Sequence, residues 1–389
     1  MILKKFRWSI ILSLVLVLWL AFTQVCLAAG DSLIDVQKYD RSIQIMAMLL
    51  VGFGFLMVFL KNYGRSALTA TFLLVSAAIP LYLVIDSTGI FGGATGVEVD
   101  RFVLAEFAAA SLLICAGACM GRLKMHQYIV LAVLFIPLYM LNQWIILENG
   151  LGIISQGAFL DTGGSIVIHT FGAIFGLGAA IAITHKKEAP TPIESNHTSD
   201  RFSMLGSMVL WVFWPSFCAA LVAPELVPFT AVNVVIALCG STLATYIATV
   251  ALRRKIMISD IANASLAGGV AIGATCATAN HPTAFVIGIL AGVISTIGFA
   301  VIQPRLEKTL KMIDTCGVTN LHGWPGLMGG IAAVFVVKGL NIGAQFTGIG
   351  ITILIALISG YVVGQIVLLF GRHKKHYDDS VEFVDVREE

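Results

Sequence analysis

The 389-residue sequence predicts an all-α polytopic membrane protein: eleven transmembrane helices after a cleaved signal peptide, arranged as inverted five-helix repeats plus one extra helix. Three observations carry that expectation. Hydrophobic residues make up 58% of the chain and charged residues 12%, with a mean hydropathy of +0.92, against about 25% charged in a soluble domain. Apolar stretches long enough to cross a ~30 Å hydrocarbon core recur along the whole chain. A polar motif also occurs twice, in stretches expected to run in opposite directions. The net charge is only +2 and no long basic block occurs, so a lipid bilayer rather than a nucleic acid is the expected partner.

Residues 1–29 read as a secretory leader. Lys4, Lys5 and Arg7 precede an apolar run from Trp8 to about Phe22, and Ala28, Ala29 and Gly30 offer a cleavage site. The alternative is an uncleaved first helix. Residues 30–372 then form one compact membrane domain. Its apolar segments fall at about 42–60, 66–85, 102–120, 127–147, 162–183, 203–222, 229–251, 261–280, 283–302, 317–337 and 345–370. The halves are about 42–183 and 203–337, joined by the polar loop from His185 to Asp200, and 345–370 is the extra helix. Residues 373–389 form a cytoplasmic tail, expected to be solvated.

Loop charge sets the orientation. With the mature amino terminus outside and eleven crossings, the inner loops and tail hold 17 basic residues, including Lys61, Arg122, Lys187, Arg253, Arg305 and Arg372. Only Lys38, Arg41, Arg101 and Lys338 fall outside. The positive-inside rule supports that topology and places the carboxyl terminus in the cytoplasm.

The repeated motif is Asp161-Thr162-Gly-Gly-Ser-Ile-Val-Ile-His169 and Asp314-Thr315-Cys-Gly-Val-Thr-Asn-Leu-His322, 153 positions apart. Ionisable residues inside a bilayer are functional candidates by default. The fifth and tenth spans run in opposite directions, and inverted repeats commonly place a transport site at their interface. Eight helical residues rise ~12 Å, so His169 and His322 are expected to meet near mid-depth, with Asp161 and Asp314 capping the two helices. Small residues around both histidines, among them Gly163, Gly172, Gly323 and Gly326, permit close helix approach. Pro325 is expected to tilt or interrupt the tenth helix just after His322.

Neutral imidazoles each carry one donor and one acceptor. A pair of them in a narrow passage suits a small neutral polar molecule, such as ammonia, and opposes a bare cation. Two other classes remain open at this stage. One is an intramembrane metalloenzyme using His169, His322 and an Asp, although no His-Glu-x-x-His motif occurs. The other is an ion-coupled transporter or an ammonium sensor. The other six histidines, His126, His185, His197, His281, His373 and His376, fall in loops or the tail and are expected to be solvated. Beyond Cys26 in the leader, the six cysteines lie in spans or at an inner helix start, so no disulfide framework is expected.

The stretch from Asp161 to His169-Thr-Phe-Gly-Ala resembles the first histidine signature of Rh proteins in the Amt/Rh ammonium channel superfamily. The stretch from Asp314 to His322-Gly-Trp-Pro-Gly is similar to the second. Asn263-Ala-Ser-Leu-Ala-Gly-Gly-Val270 and Trp214-Pro-Ser-Phe217 also look like Rh rather than Amt, and the resemblance covers nearly the whole mature chain. It implies a bacterial inner-membrane homotrimer with one pore per subunit. That pore would conduct ammonia drawn from ammonium, with carbon dioxide as a second possible substrate and no cofactor or metal. It also implies two phenylalanines closing the outer side, matched by Phe107 and Phe217. Asp161, Asp314, Asn263 and Asn320 would support the pore, and Glu106 and Glu307 would serve as acidic vestibule residues. An interfacial carboxylate paired with Lys308 or Lys311 is the bland reading of Glu307. Asn142-Gln143-Trp144 departs from the acidic residue many Rh relatives carry there, Trp324 is bulkier than the usual aliphatic residue, and no outer Trp and Ser site of the Amt kind is matched. A low-affinity conduit is therefore the expectation.

Overall fold

The computed structural model describes residues 32–92, 96–184, 192–373 and 375–384. The expected leader, its cleavage site and His185, Lys186, Lys187, Lys374 and Arg387 lie outside the described residues. In chain order the helical elements are α1 (Leu33–Phe59), α2 (Gly64–Ser87), α3 (Glu98–Cys119), α4 (Met125–Leu147), α5 (Ser165–Ile183), α6 (His197–Cys218), α7 (Val227–Arg253), α8 (258–275), α9 (His281–Leu310), α10 (319–336) and α11 (Ile342–Leu368). No strand occurs among the described residues. Eight of these elements, all but α6, α8 and α10, are long and apolar enough to cross a membrane.

The remaining three have local causes for their irregularity. α6 opens with a polar turn, and the Asn196 side chain caps it by accepting the Thr198 and Ser199 N–H groups. α8 is a series of short pieces, Ile258–Ala264, Ala267–Ile272 and Gly273–Thr275. α10 changes from a π turn, Thr319–Gly323, to an α-helix, Trp324–Val336. Pro325 sits at that change, where its missing N–H removes an interior helical hydrogen bond. α1 starts well before the expected residue 42. Its polar first turns are tied to α3, with Lys38 paired to Asp100 at 2.7 Å and the Ser42 hydroxyl donating to Glu106 at 3.0 Å.

Helix packing repeats along the chain. α1 lies against α3, α2 against α4 and α3 against α5; five elements later α6 lies against α8, α7 against α9 and α8 against α10. α1 also packs on α6 and α5 on α10, while α11 covers α4 and α5. Glycines make the central contacts close. A Cβ on Gly172 of α5 would sit 2.5 Å from the Ser111 carbonyl of α3, and one on Gly326 of α10 would sit 2.5 Å from the Ser165 carbonyl of α5. α3 and α5 are the most deeply buried helices. Exposed apolar side chains such as Met208, Leu243, Ile247, Leu354 and Ile358 face outward from α6, α7 and α11, as a lipid or protein neighbour requires.

The tail departs from its expected solvation. Residues 377–384 dock on the end of the molecule where α2 and α4 begin. Asp379 accepts the Arg65 and Ser66 N–H groups at 3.0 and 2.8 Å, and Glu382 accepts the Met125 N–H at 3.0 Å. Free N–H groups at a helix start attract a carboxylate, and Tyr63 supplies α2 with no side-chain cap. The Tyr377 ring fills the space a Cβ on Gly121 would take. Nor are all the loop histidines simply solvated. His281 Nδ1 is 2.7 Å from the Asn233 side-chain oxygen, and His373 is buried near Glu382.

Candidate functional site

Both copies of the repeated motif fold into the same turn. The Gly164 N–H bonds the Asp161 carbonyl, and the Gly317 N–H bonds the Asp314 carbonyl, each at 3.1 Å. Both glycines are left-handed, with φ of 77° and 64°, a region where a Cβ is strained. A π turn follows each glycine within a residue or two: Ser165–Thr170 carries His169, and Thr319–Gly323 carries His322. Such a turn inserts an extra residue and re-aims the side chains it contains. The carboxylates brace the turns. Asp161 Oδ2 accepts the Ile166 and Val167 N–H groups at 2.9 and 2.8 Å. Asp314 accepts the Val318 and Thr319 N–H groups at 3.0 Å each, and the Thr319 hydroxyl as well.

The structure brings the two histidines together. Their Nδ1 atoms are 3.1 Å apart and their rings lie 8° from parallel. The rings are 2% and 3% exposed. A nitrogen–nitrogen hydrogen bond needs one donor and one acceptor. One neutral ring therefore carries its proton on Nδ1 and leaves Nε2 as an acceptor, while the other carries it on Nε2 as a donor.

Aromatic rings extend the pair on both sides. His169 stacks on Trp214 at 5.5 Å between centroids and meets Phe217 at 6.1 Å; Phe217 contacts Phe107 at 4.6 Å. His322 stacks on Phe53 at 6.1 Å. Gly269 gives the Ala-Gly-Gly stretch its role, since a Cβ there would come within 2.6 Å of the Trp214 ring. His169 Nε2 and Trp214 Nε1 are buried without a hydrogen-bond partner. On the His322 side the site opens into a cavity of about 200 Å³, lined by Phe53, Asp200, Asn263, Gln303, Cys316 and His322 among others.

The other expected residues are placed around the pair rather than on it. Asn263 lines the cavity and donates to the Ser259 carbonyl at 2.9 Å. Asn320 donates to Gln303 Oε1 at 2.6 Å. Glu307 accepts the Gln303 amide at 2.9 Å and the Asp314 N–H at 3.1 Å, so these groups rather than Lys308 or Lys311 hold it. Glu106 is 0% exposed, with one oxygen on Ser42 and the other unpartnered. Its surroundings are closed rather than an open mouth.

Sequence reasoning missed Gln303, which joins Glu307, the Asp314 carbonyl and Asn320 in one network. It also missed Phe53 beneath His322. An isolated Gln near the end of an apolar span was the only available signal for the first, and one Phe among 23 gave none for the second. Metal chemistry finds no donor set here. The Nδ1 atoms face each other, both carboxylates are engaged by backbone N–H groups, and the described residues contain no group of three metal-binding side chains.

The sequence profile of the Ammonium Transporter Family matches residues 34–381. Ammonium transporter Rh type B of Oryctolagus cuniculus is 39% identical over 302 residues, covering 76% of this chain; the chain spans 64% of that relative's length. Ammonium transporter Rh type A of Bos taurus is 35% identical over 373 residues, covering 91% of this chain and 85% of the relative. The solved structure of Nitrosomonas europaea Rh50, described with the conduction mechanism of the Rhesus protein family of channels, superposes with a TM-score of 0.89. It is 52% identical, covering 92% of this chain and 94% of that one. These relatives are transporters and channels, not enzymes. With its paired histidines and all-helical fold, this multi-pass membrane chain belongs to the ammonium transporter family, on the Rh branch.

Proposed function

We propose that the chain is a channel for ammonia, with His169 and His322 at the centre of its passage. The observation that carries the reading is the 3.1 Å Nδ1 contact inside a closed aromatic column. A desolvated cation is costly there, whereas ammonia finds one Nε2 acceptor and one Nε2–H donor. Ammonium is drawn to the outer mouth and loses its proton before passing Phe107 and Phe217. The proton stays in the outer solvent, and beyond His322 ammonia takes up a proton from inner water where the cavity opens. Asp161 and Asp314 hold the turns that aim the rings, and Asn320 and Glu307 brace the inner turn through Gln303.

In this reading all eleven helical elements cross a bacterial inner membrane. The leader is removed, the mature amino terminus lies outside and the docked tail lies in the cytoplasm. The repeated helix pairings support two inverted five-helix halves plus α11. The outward apolar faces of α6 and α7 suit association as a homotrimer, each subunit with its own passage.

Stopped-flow pH measurements on proteoliposomes test the reading. Ammonia flux through the channel is expected to fall at least about tenfold in His169→Ala and His322→Ala, with trimer assembly checked as a control. Unchanged flux in correctly assembled variants rejects the assignment. Sustained current on solid-supported membranes would turn the reading toward proton-coupled transport. Carbon dioxide flux of equal size and equal histidine dependence would broaden it to a general gas channel.

A further inference from the structure

Arg122 lies in the turn between α3 and α4 and is 4% exposed. Its Nη1 donates to the Thr184 hydroxyl at 2.6 Å, and its Nη2 donates to the Ala118 and Ile313 carbonyls, also at 2.6 Å. Thr184 is the residue that ends α5, the helix of His169. Ile313 immediately precedes Asp314, whose turn leads to His322. The Ile313 N–H donates to the same Thr184 hydroxyl at 3.2 Å. One guanidinium therefore knots the end of the first histidine's helix to the start of the second's.

All three acceptors are neutral. The half-buried Arg101 and Arg253, by contrast, pair with Asp86 and Asp260. The Asp314 and Glu307 carboxylates act on Arg122 through space without a hydrogen bond, and even a compensated buried ion holds helices together no better than apolar residues of similar volume. Adhesion alone does not explain Arg122. Its distinctive property is a planar fork whose donors point in fixed directions, here reaching three chain segments at once. Further contacts stiffen this corner. The Thr315 and Cys316 N–H groups bond the Ala118 and Gly117 carbonyls at 3.2 Å each.

We propose that Arg122 is a positioning residue for the histidine pair: its fork sets the spacing between the end of α5 and the turn at Asp314, and through these two rigid elements the contact between the rings. The effect on flux rests on the channel reading above; the effect on ring geometry does not.

The test uses the full-length protein with ¹⁵N-labelled histidine. The shared Nδ1 proton of the wild type is expected to give a downfield resonance that vanishes in His169→Ala, which assigns it. Arg122→Met and Arg122→Gln are expected to lose or shift that resonance and to lower ammonia flux about tenfold, the scale seen when groups supporting a site are removed. Arg122→Lys keeps the charge but not the fork, and is expected to restore part of both signals. Thr184→Val removes one acceptor while leaving Arg122 intact, and is expected to shift the resonance even if the Arg122 variants fail to fold. An unmoved resonance in folded Arg122→Met, or in Thr184→Val should that variant not fold, overturns the proposal. Moved resonances with normal flux overturn only its link to conduction. Normal flux in His169→Ala and His322→Ala overturns the channel reading and leaves the positioning result standing.

Discussion

The turn at Asp161 and the turn at Asp314 share a backbone and differ in almost everything around it. Each has an Asp, a left-handed glycine three residues later and a π turn bearing a histidine. At the Asp161 turn only one carboxylate oxygen is used and the other is buried without a partner. At the Asp314 turn both oxygens are used, and Glu307, Gln303 and Arg122 hold the neighbouring backbone. His169 faces closed aromatic packing, whereas His322 borders an open cavity whose walls are mostly apolar, with polar groups such as Asp200, Asn263 and Gln303 among them. The comparison teaches that the repeat supplies aim and the surroundings supply character. The Asp161 turn is tied to α8, with the Gly163 N–H on the Gly273 carbonyl at 2.8 Å and the Ser165 hydroxyl donating to the Val270 carbonyl and accepting the Ala274 N–H, each at 2.7 Å; the Asp314 turn is tied instead through Glu307, Gln303 and Arg122 beside an open cavity.

Removing the carboxylates breaks the comparison most directly. Asp314→Ala strips the acceptor from two buried N–H groups and a hydroxyl and is expected to lower stability by about 4 kcal/mol, against about 2 kcal/mol for Asp161→Ala. Unfolding in detergent measures both, and equal losses would remove the asymmetry. Next come the glycines. A Cβ at Gly317 would press to 2.2 Å from the Phe299 ring, and one at Gly164 to 2.3 Å from the buried, β-branched Ile168 side chain. Gly317→Ala and Gly164→Ala are each expected to cost about 3 kcal/mol, from overpacking added to backbone strain, so that the glycines mark what the two turns share.

The aromatic rings sharpen the contrast in permeation. Phe217→Ala opens the closed side and is expected to raise water permeability of proteoliposomes roughly threefold, because a void lined by unpaired polar atoms admits water. Phe53→Ala borders a cavity that is already open and is expected to change it little. A larger rise for Phe53→Ala would place the barrier on the wrong side.

The smallest expected effect lies in the tail. Burial holds the His373 imidazole below its ordinary value, opposed mainly by the Glu382 carboxylate and the Lys375 backbone contact, with Lys124 adding to the lowering and Asp378 opposing it. A lowered imidazole favours the folded form while neutral. Its contribution is therefore complete above about pH 6.5 and declines as acidification protonates the ring. Limited proteolysis of residues 377–384 should quicken modestly from pH 7.5 to 5.5. His373→Gln, which cannot take up the proton, should flatten that response.

Much of this was legible along the chain. Apolar segments of membrane length disclose an all-helical fold because a bilayer leaves the backbone few alternatives. The spacing from Asp161 to His169 and from Asp314 to His322 exposes a repeat, since two polar copies in apolar surroundings are conspicuous. Glu106 shows the limit. Its position beside Phe107 reads as a mouth, yet α1 extends far enough to cover it with Ser42. The tail shows another, because Asp379 and Glu382 look solvated until the starts of α2 and α4 present the Arg65, Ser66 and Met125 N–H groups side by side.

The sequence by itself determined the class of solvent, the helical elements and the residue types at the paired motif, all of which depend on local composition and period. Only the tertiary structure decided that the rings touch, that Gln303 and Arg122 brace one turn alone, and that one side is closed while the other opens. Those outcomes depend on atoms brought together from distant segments, and a one-dimensional pattern carries no record of which side chains will share a neighbourhood.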